Sequence, residues 1–349
     1  MESLVRSGPA SIAATAPRRF GRLSRALGLA APHPALWAIT AAIVGVDLLW
    51  LTLSPVSLEL MGVGITAGLL AGLLAASAFW TLVKPEPTLR AMAQSSAFLC
   101  AFTSAAGVLH YLAATLAPPL FDTQLAAAEA ALGFDWPAHA ALLNAHPWLG
   151  EALAVAYHSS APQVALVVVV LSAMRRFARL RAFLTLFALT LLAVIVLSSV
   201  FPAAGAYAHY APAEASAPSL STIGGIWHLN DFEVLRAGAA KTIALQDIRG
   251  LATFPSFHVC LAMLTAWALG RVPVLGPLAV LVNAAVIVGT LGAGGHYLPD
   301  VLAGGVVGVV ALSGQGLAWR RSAVRGSTGQ HRSSAGASLA ARIPAQSQS

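Results

Sequence analysis

Charged residues are scarce in this chain of 349 residues, since only 9% are Asp, Glu, Lys or Arg, whereas 58% are hydrophobic. A soluble domain carries about 25% charged residues, so the composition excludes an ordinary soluble protein and indicates an integral membrane protein. The formal charge of +7 does not indicate nucleic-acid binding, because the basic residues lie at the ends of apolar runs and form no basic face.

Cysteine is almost missing as well, because the chain contains only Cys100 and Cys260. Both lie inside apolar runs, so we expect neither a structural disulfide nor a cysteine metal site. The histidines outside those runs are scattered, without the spacing of zinc ligands. We therefore expect the protein to work without a metal and without a cofactor.

Eight apolar runs are long enough to cross a membrane, which requires roughly 20 residues. They lie at about 35–56, 61–83, 94–116, 150–173, 182–202, 253–270, 274–292 and 298–318. The sequence thus predicts an all-α polytopic bundle with about eight transmembrane helices, two of them accessory and contained in residues 35–93. Residues 1–34 are expected to form a basic cytoplasmic tail, with a cleaved targeting peptide as the alternative, and residues 319–349 a disordered cytoplasmic tail.

Lys and Arg are divided unequally between the two sides of these spans. If the N-terminus is cytoplasmic, 17 of the 20 fall on the cytoplasmic side, and the outer side keeps only Arg236, Lys241 and Arg249. This distribution satisfies the positive-inside rule with both termini cytoplasmic. We expect a multi-pass protein of the cell membrane with two long outer segments, an interfacial helix pair in 117–149 and the wall of a site in 203–250.

Two short stretches place a histidine where an apolar run begins. They are residues 254–258 (FPSFH) and residues 295–300 (GHYLPD). Each has a proline near the expected first helical turn, and a helix start presents free N–H groups and partial positive charge that suit a phosphate. Asp300 follows His296 by one helical turn and can fix its tautomer. Because both stretches fall at the outer boundary, His258 and His296 predict phosphoryl chemistry at the outer face.

These stretches resemble the second and third signatures of the type 2 phosphatidic acid phosphatase superfamily, most closely its inositol phosphorylceramide synthase-like branch. The resemblance covers about residues 94–318 and implies a six-helix phosphatase-like core. Two features depart from the wider family. Gly289 and Thr290 replace the Ser-Arg pair that opens its third signature, and Lys241 and Arg249 only approximate the spacing of its first signature.

The resemblance implies a metal-independent lipid phosphatase that forms a phospho-histidine. His296 would attack phosphorus, Asp300 would hold it, and His258 would protonate the leaving alkoxide and then activate water. Ser256 and the backbone at the start of the sixth span would bind phosphate oxygens. The three outer basic residues are the candidate cations for the transition state, and Arg236 ranks first because its segment shares the resemblance.

Two alternatives remain open from the sequence. The first is a phosphotransferase, in which the same intermediate passes its group to a lipid or sugar alcohol. The second is a non-enzymatic transporter or scaffold, although transporters place polar groups near the middle of the membrane and these lie at one face. In the enzyme readings we expect a membrane lipid phosphate as substrate, because a site level with the headgroups admits a phosphate still attached to its chain.

Overall fold

The computed structural model describes residues 32–210 and 220–317, and both expected tails lie outside or almost outside these ranges. Helices dominate the described chain. Their bounds are α1 Pro34–Leu53, α2 Leu60–Leu82, α3 Pro87–Ala114, α4 Asp122–Ala131, α5 Trp136–Ala145, α6 Pro147–His158, α7 Ser160–Ala173, α8 Phe177–Val200, α9 Ala206–Tyr210, α10 Leu220–Ile226, α11 Leu229–Arg236, α12 Phe257–Leu269, α13 Leu275–Gly292 and α14 Leu298–Leu317. The strands β1 Ser57–Leu58 and β2 Thr242–Ile243 form one parallel pair.

Six of these helices are long and apolar enough to cross a membrane, namely α1, α2, α3, α8, α13 and α14. The pair α6 and α7, bent by 45°, makes a seventh if it is counted as one span. The predicted all-α polytopic bundle is therefore confirmed, but the predicted count of eight full-length spans is not. The sixth predicted span contains only α12, whose 13 residues extend about 20 Å, less than the hydrocarbon thickness of about 30 Å.

Helices α12 and α13 form an antiparallel hairpin. At one end the carbonyl of Gly270 lies only 2.7 Å from where a Cβ on Gly276 would be. At the other end the ring centroids of His258 and His296 are 6.4 Å apart. Because α12 and α13 run in opposite directions, the chain returns to the end of the bundle at which α12 begins. Both histidines consequently lie at that end.

The opposite end of the bundle carries a cluster of arginines. Arg176 donates to the carbonyl of Arg271, and Arg179 donates to carbonyls in the last turn of α12. Arg175 pairs with Glu86, with a nitrogen-to-oxygen distance of 3.6 Å. Guanidinium groups at a helix C-terminus satisfy its unpaired carbonyls, so these contacts fix the start of α8 against the end of α12.

The main hydrophobic core lies between α3, α7, α8 and α12. Phe98 and Phe102 of α3 stack with their ring centroids 5.4 Å apart. Phe187 of α8 meets Phe257 edge to face at 5.6 Å. Phe257 is the first residue of α12, so this aromatic contact anchors the helix immediately beside His258.

The first two helices are attached to the long segment 203–250. Residues of β1, between α1 and α2, pair with β2 in that segment. Farther along the segment, the backbone N–H of Arg249 donates to the hydroxyl of Tyr111 at 3.0 Å, and the same hydroxyl donates to Asp231. The loop that leads into residues 254–258 is thus held by α3 and by the connection between the first two helices.

Candidate active site

The two histidine stretches are joined directly to each other. Ser256 is the N-cap residue of α12, and its backbone N–H donates to the carbonyl of Asp300 at 3.0 Å. Its hydroxyl oxygen lies 3.4 Å from Nε2 of His296. The serine is fully buried. The start of α12 and the start of α14 therefore form one unit, in which His258, His296, Asp300 and Ser256 lie close together.

His296 and Asp300 form a buried pair. Nδ1 of His296 lies 3.4 Å from Oδ2 of Asp300, and the same oxygen accepts the backbone N–H of Tyr297 at 2.9 Å. The side chains are 4% and 0% exposed. With Nδ1 facing the carboxyl group, Nε2 is the ring nitrogen that faces Ser256.

Burial controls the charge of His296. It lowers the pKa of the imidazole to about 4, against a smaller raising contribution from a hydrogen bond to the backbone of Thr253. The ordinary histidine pKa is about 6.5, so His296 is neutral at physiological pH. A neutral imidazole keeps a lone pair on one ring nitrogen, which is what a nucleophile requires.

This lowered pKa predicts a pH profile for kcat/KM, which reports groups of the free enzyme. Protonation removes the lone pair of His296, so we expect activity to fall only as the pH drops through about 4 and to be retained at pH 6. The measurement is phosphate release between pH about 3 and about 8, a range that covers both values. Circular dichroism at each pH separates inactivation from unfolding. The second proton of a phosphate monoester is lost at about pH 6, so the profile is corrected for the ionisation of the substrate. An acid limb near 6.5 that persists after this correction would show that His296 is not the buried neutral group described here.

His258 is oriented by Tyr157 of α6. The tyrosine hydroxyl lies 3.2 Å from Nδ1 of His258, and the two rings stack with centroids 4.2 Å apart. The contact leaves Nε2 of His258 as the nitrogen available for proton transfer. Our sequence analysis did not include Tyr157 among the site residues. The signal was the polar run of residues 157–160 inside an otherwise apolar span, which helix packing explains equally well.

A cavity of about 260 Å³ lies beside these side chains, and Gly294, Thr253 and Trp227 line part of it. Histidines from five places in the chain also line it: His110, His158, His228, His258 and His296. Although imidazoles are common metal ligands, no three His, Cys, Asp or Glu side chains in the described ranges are arranged to hold a metal ion. Their convergence was not predicted, because it depends on how α3, α6 and the segment 203–250 pack together.

The three candidate cations occupy different places. Arg249 donates to the carbonyl of Trp227 and lies over its ring, 5.4 Å from the centroid, so it lies next to a residue of the histidine cavity. Arg236 donates to the carbonyl of Pro118 at 2.6 Å and lines a small neighbouring cavity, which shares His110 and Thr253 with the histidine cavity. Lys241 lines a third cavity near β2. The structure therefore places Arg249 and Arg236 next to the histidine cavity, each through residues that line it, and places Lys241 apart from it.

Two carboxylates of α4 support the loop that carries His296. Asp122 accepts the backbone N–H groups of Ala204 and Gly205 and the hydroxyl of Tyr297, each at 2.9 Å. Glu129 accepts the backbone N–H of Leu298 at 2.7 Å, which caps the start of α14. The predicted helix pair in 117–149 is present as α4 and α5, but these two acids had not been identified as supports because their partners are distant in sequence.

The departure at Gly289 and Thr290 has a packing reason. A Cβ on Gly289 would lie 2.7 Å from the carbonyl oxygen of Leu153, because α13 and α6 pack backbone to backbone there. Thr290 is fully buried, and its hydroxyl donates to Val286 within the same helix at 2.7 Å. Gly289 has no side chain and the Thr290 hydroxyl is bonded within its own helix, so neither residue provides the charged group that an arginine would bring to this position.

We therefore expect that Gly289→Ser, which restores the family residue, destabilises the protein by about 1–3 kcal/mol through overpacking. The measurement is the thermal unfolding midpoint of the detergent-purified protein. Gly305→Ala in α14 is the matched control, because an added Cβ there meets nothing within 4 Å. Equal midpoints for Gly289→Ser and wild type would contradict the close approach of α13 to α6.

Comparison with known proteins identifies the family of this chain. A family model described as the PAP2 superfamily matches residues 123–313, which is more than half of the chain. No curated protein and no solved structure matches the chain significantly. The matched region contains both histidine stretches together with almost all of α4, whose carboxylates support them. The chain belongs to the PAP2 superfamily, whose members are generally phosphatases or phosphotransferases.

Proposed function

We propose that this protein is a membrane lipid phosphate phosphatase that acts through a phospho-histidine intermediate. The observation that carries the proposal is the buried pair of His296 and Asp300 beside His258, with Ser256 between the two helix starts. This arrangement provides a neutral nucleophile, a carboxylate behind it and a second imidazole for proton transfer. These are the parts that a two-step phosphoryl transfer needs.

In the first step, the lone pair on Nε2 of His296 forms a bond to phosphorus, and the bond from phosphorus to the lipid oxygen breaks. The negative charge of the bound lipid phosphate favours the protonated form of His258, and this imidazolium gives its proton to the leaving alkoxide. The phosphorylated imidazole carries a positive charge, with its remaining proton on Nδ1. The Asp300 carboxylate, 3.4 Å from Nδ1, stabilises that charge, which is the role of the acid beside a catalytic histidine.

In the second step, His258 accepts a proton from water, and the water oxygen attacks phosphorus. The bond from phosphorus to nitrogen breaks, its electron pair returns to Nε2 of His296, and inorganic phosphate leaves. His258 then again carries the proton for the next cycle. Its stacking on Tyr157 keeps the ring in one orientation through both steps.

The phosphate oxygens need donors and a cation. The first N–H groups of α12 have no partner within the helix, and the positive end of its dipole suits an anion. The Ser256 hydroxyl lies at the same place. We propose Arg249 as the cation in preference to Arg236 and Lys241, because it lies against the cavity residue Trp227.

The distribution of charge supports an outer-face location of the site, with both termini cytoplasmic. Arg175, Arg176, Arg179 and Arg271 gather at the end of the bundle opposite the histidines. Basic residues favour the cytoplasmic side of a membrane, so the histidines belong to the periplasmic or extracellular side of the cell membrane. A substrate then enters from the outer leaflet.

A second candidate is transfer of a phospho-headgroup to an alcohol, as in the inositol phosphorylceramide synthase-like branch. One observation favours it: none of the described residues that line the histidine cavity is Lys or Arg. Placing a dianionic phosphate monoester in a site with few fixed cations costs more than placing a monoanionic phosphodiester. Both candidates use the same intermediate and differ in the donor and the acceptor.

The test is to incubate purified protein, without added metal, with a panel of lipid phosphate monoesters, diphosphates and phosphodiesters. Release of inorganic phosphate supports the phosphatase, and transfer of a labelled headgroup to an added lipid or sugar alcohol supports the transferase. His296→Ala is the negative control in both assays. If wild type performs neither reaction on any member of the panel, the enzymatic proposal fails and the transporter or scaffold reading takes its place.

A further inference from the structure

A second large cavity lies at the end of the bundle away from the histidines. Its volume is about 370 Å³, and residues of α1, α8 and α14 line it. Arg181 of α8 lies at this cavity, whereas Ser198 of the same helix contacts His110 of the histidine cavity. Seventeen residues of helix separate the two, a distance of about 26 Å. The cavity is therefore independent of the proposed active site.

Arg181 differs from the other arginines of its cluster. Arg175 pairs with Glu86, and Arg176 and Arg179 donate to carbonyls at the end of α12. Nε and Nη2 of Arg181 are buried, and among the described residues they have no hydrogen-bond partner. A buried guanidinium nitrogen without a partner is costly. Arg181, which lines this cavity, therefore lacks hydrogen-bond acceptors, and a negatively charged acceptor suits it best.

The residues that line the cavity change from polar to apolar along its length. Arg181 and Gln315 supply polar groups, and Thr185 lies one turn farther along α8. Ile39 of α1 and Leu189 of α8 then line the cavity, and Leu189 is 50% exposed. From Arg181 to Leu189 the helix rises about 12 Å. A cation at one end and an apolar, exposed groove at the other match an amphiphile with an anionic head.

The sequence beyond the segments that line the cavity is strongly basic. Residues 1–31 contain five arginines and one acid, Glu2, and residues 318–349 contain five arginines and no acidic side chain. At the start of α1, the N–H groups of Ala35 and Leu36 are already bonded to His33, so the polar side chains available to a ligand in the described lining include Arg181 and Gln315. The surrounding charge is positive, which favours an anionic occupant from outside the chain.

We propose that this groove is a binding site for an anionic phospholipid, with its phosphate on Arg181 and an acyl chain along Ile39 and Leu189. Neither the catalytic histidines nor the proposed reaction is involved. The guanidinium supplies charge-assisted hydrogen bonds to the phosphate, and the apolar part of the groove discriminates a lipid from a free anion.

The test is lipid binding by native mass spectrometry of the full chain in detergent, titrated with phosphatidylglycerol and with phosphatidylcholine of the same acyl chains. We expect wild type to bind phosphatidylglycerol more tightly, and Arg181→Gln to lose that preference with about a tenfold or greater weakening. Arg175→Gln is the matched control, because Arg175 belongs to the same cluster but pairs with Glu86. It is expected to keep the preference.

Two further measurements distinguish lipid binding in the groove from unfolding of the variant and from binding of a free anion. Leu189→Trp, which fills the apolar part of the groove and leaves Arg181 intact, is expected to weaken phosphatidylglycerol binding in a protein whose thermal midpoint stays near wild type. Inorganic phosphate at the same concentration is expected to compete poorly. An unchanged lipid preference in Arg181→Gln overturns the proposal, and so does equal competition by inorganic phosphate, which would assign the cavity to a free anion.

Discussion

Replacing His296 with alanine is expected to reduce phosphate release to the uncatalysed background, because the nucleophile of the proposed mechanism is removed. Replacing His258 is expected to have a different effect. Its loss costs about 10²–10⁴-fold in rate on a lipid substrate, the usual contribution of a general acid and base. With p-nitrophenyl phosphate, however, the leaving group needs no proton, so His258→Ala should be phosphorylated normally and then fail to activate water.

The measurement that separates these roles is trapping of the phosphorylated enzyme. Protein is mixed with labelled substrate and quenched in alkali, since a bond between phosphorus and nitrogen is labile in acid. We expect label on His258→Ala, none on His296→Ala, and an initial burst of p-nitrophenolate from His258→Ala only. His146→Ala, which removes an exposed imidazole distant from the cavity, is the matched control. Label on His296→Ala would refute the assignment of the nucleophile.

Asp300→Asn is expected to lower kcat by about 10³–10⁴-fold, the size of effect seen when the acid beside a catalytic histidine becomes an amide. The amide keeps the shape of the side chain, and its oxygen can still accept the N–H of Tyr297, so the start of α14 should fold normally. What is lost is the negative charge beside Nδ1 of His296. The phosphorylation step should therefore slow, while substrate binding changes little.

The comparison variant is Glu129→Gln. Glu129 is also fully buried and accepts a backbone N–H at the start of α14, but it does not contact either histidine. We expect a lower unfolding midpoint and a rate within about tenfold of wild type, because capping contributes about 1 kcal/mol. The measurements are the single-turnover rate and the thermal unfolding midpoint of both variants, which separate a catalytic role from a structural one. Equal losses of kcat in the two variants would mean that Asp300 acts only by holding the helix start.

The sequence predicts the proximity of residues that are close along one helix or one helix start. Asp300 follows His296 by one turn, and Ser256 precedes His258 at a helix start, so their neighbourhood follows from helix geometry. Tyr157 and Arg249 reach the site through tertiary packing, which no local pattern encodes. The length of α12 was overestimated for a related reason: residues 253–256 are apolar enough to read as membrane span, yet they hold Ser256 against Asp300 and are not helical.

The pairing of β1 with β2 has a consequence for dissecting this protein. The region matched by the family model begins at residue 123, and a minimal catalytic fragment cut at that point would look reasonable from the sequence. Such a fragment would lose β1, which pairs with the loop, and Tyr111, which holds the backbone of Arg249. Engineering a smaller version must therefore keep the first three helices, because the wall of the site is assembled across that boundary.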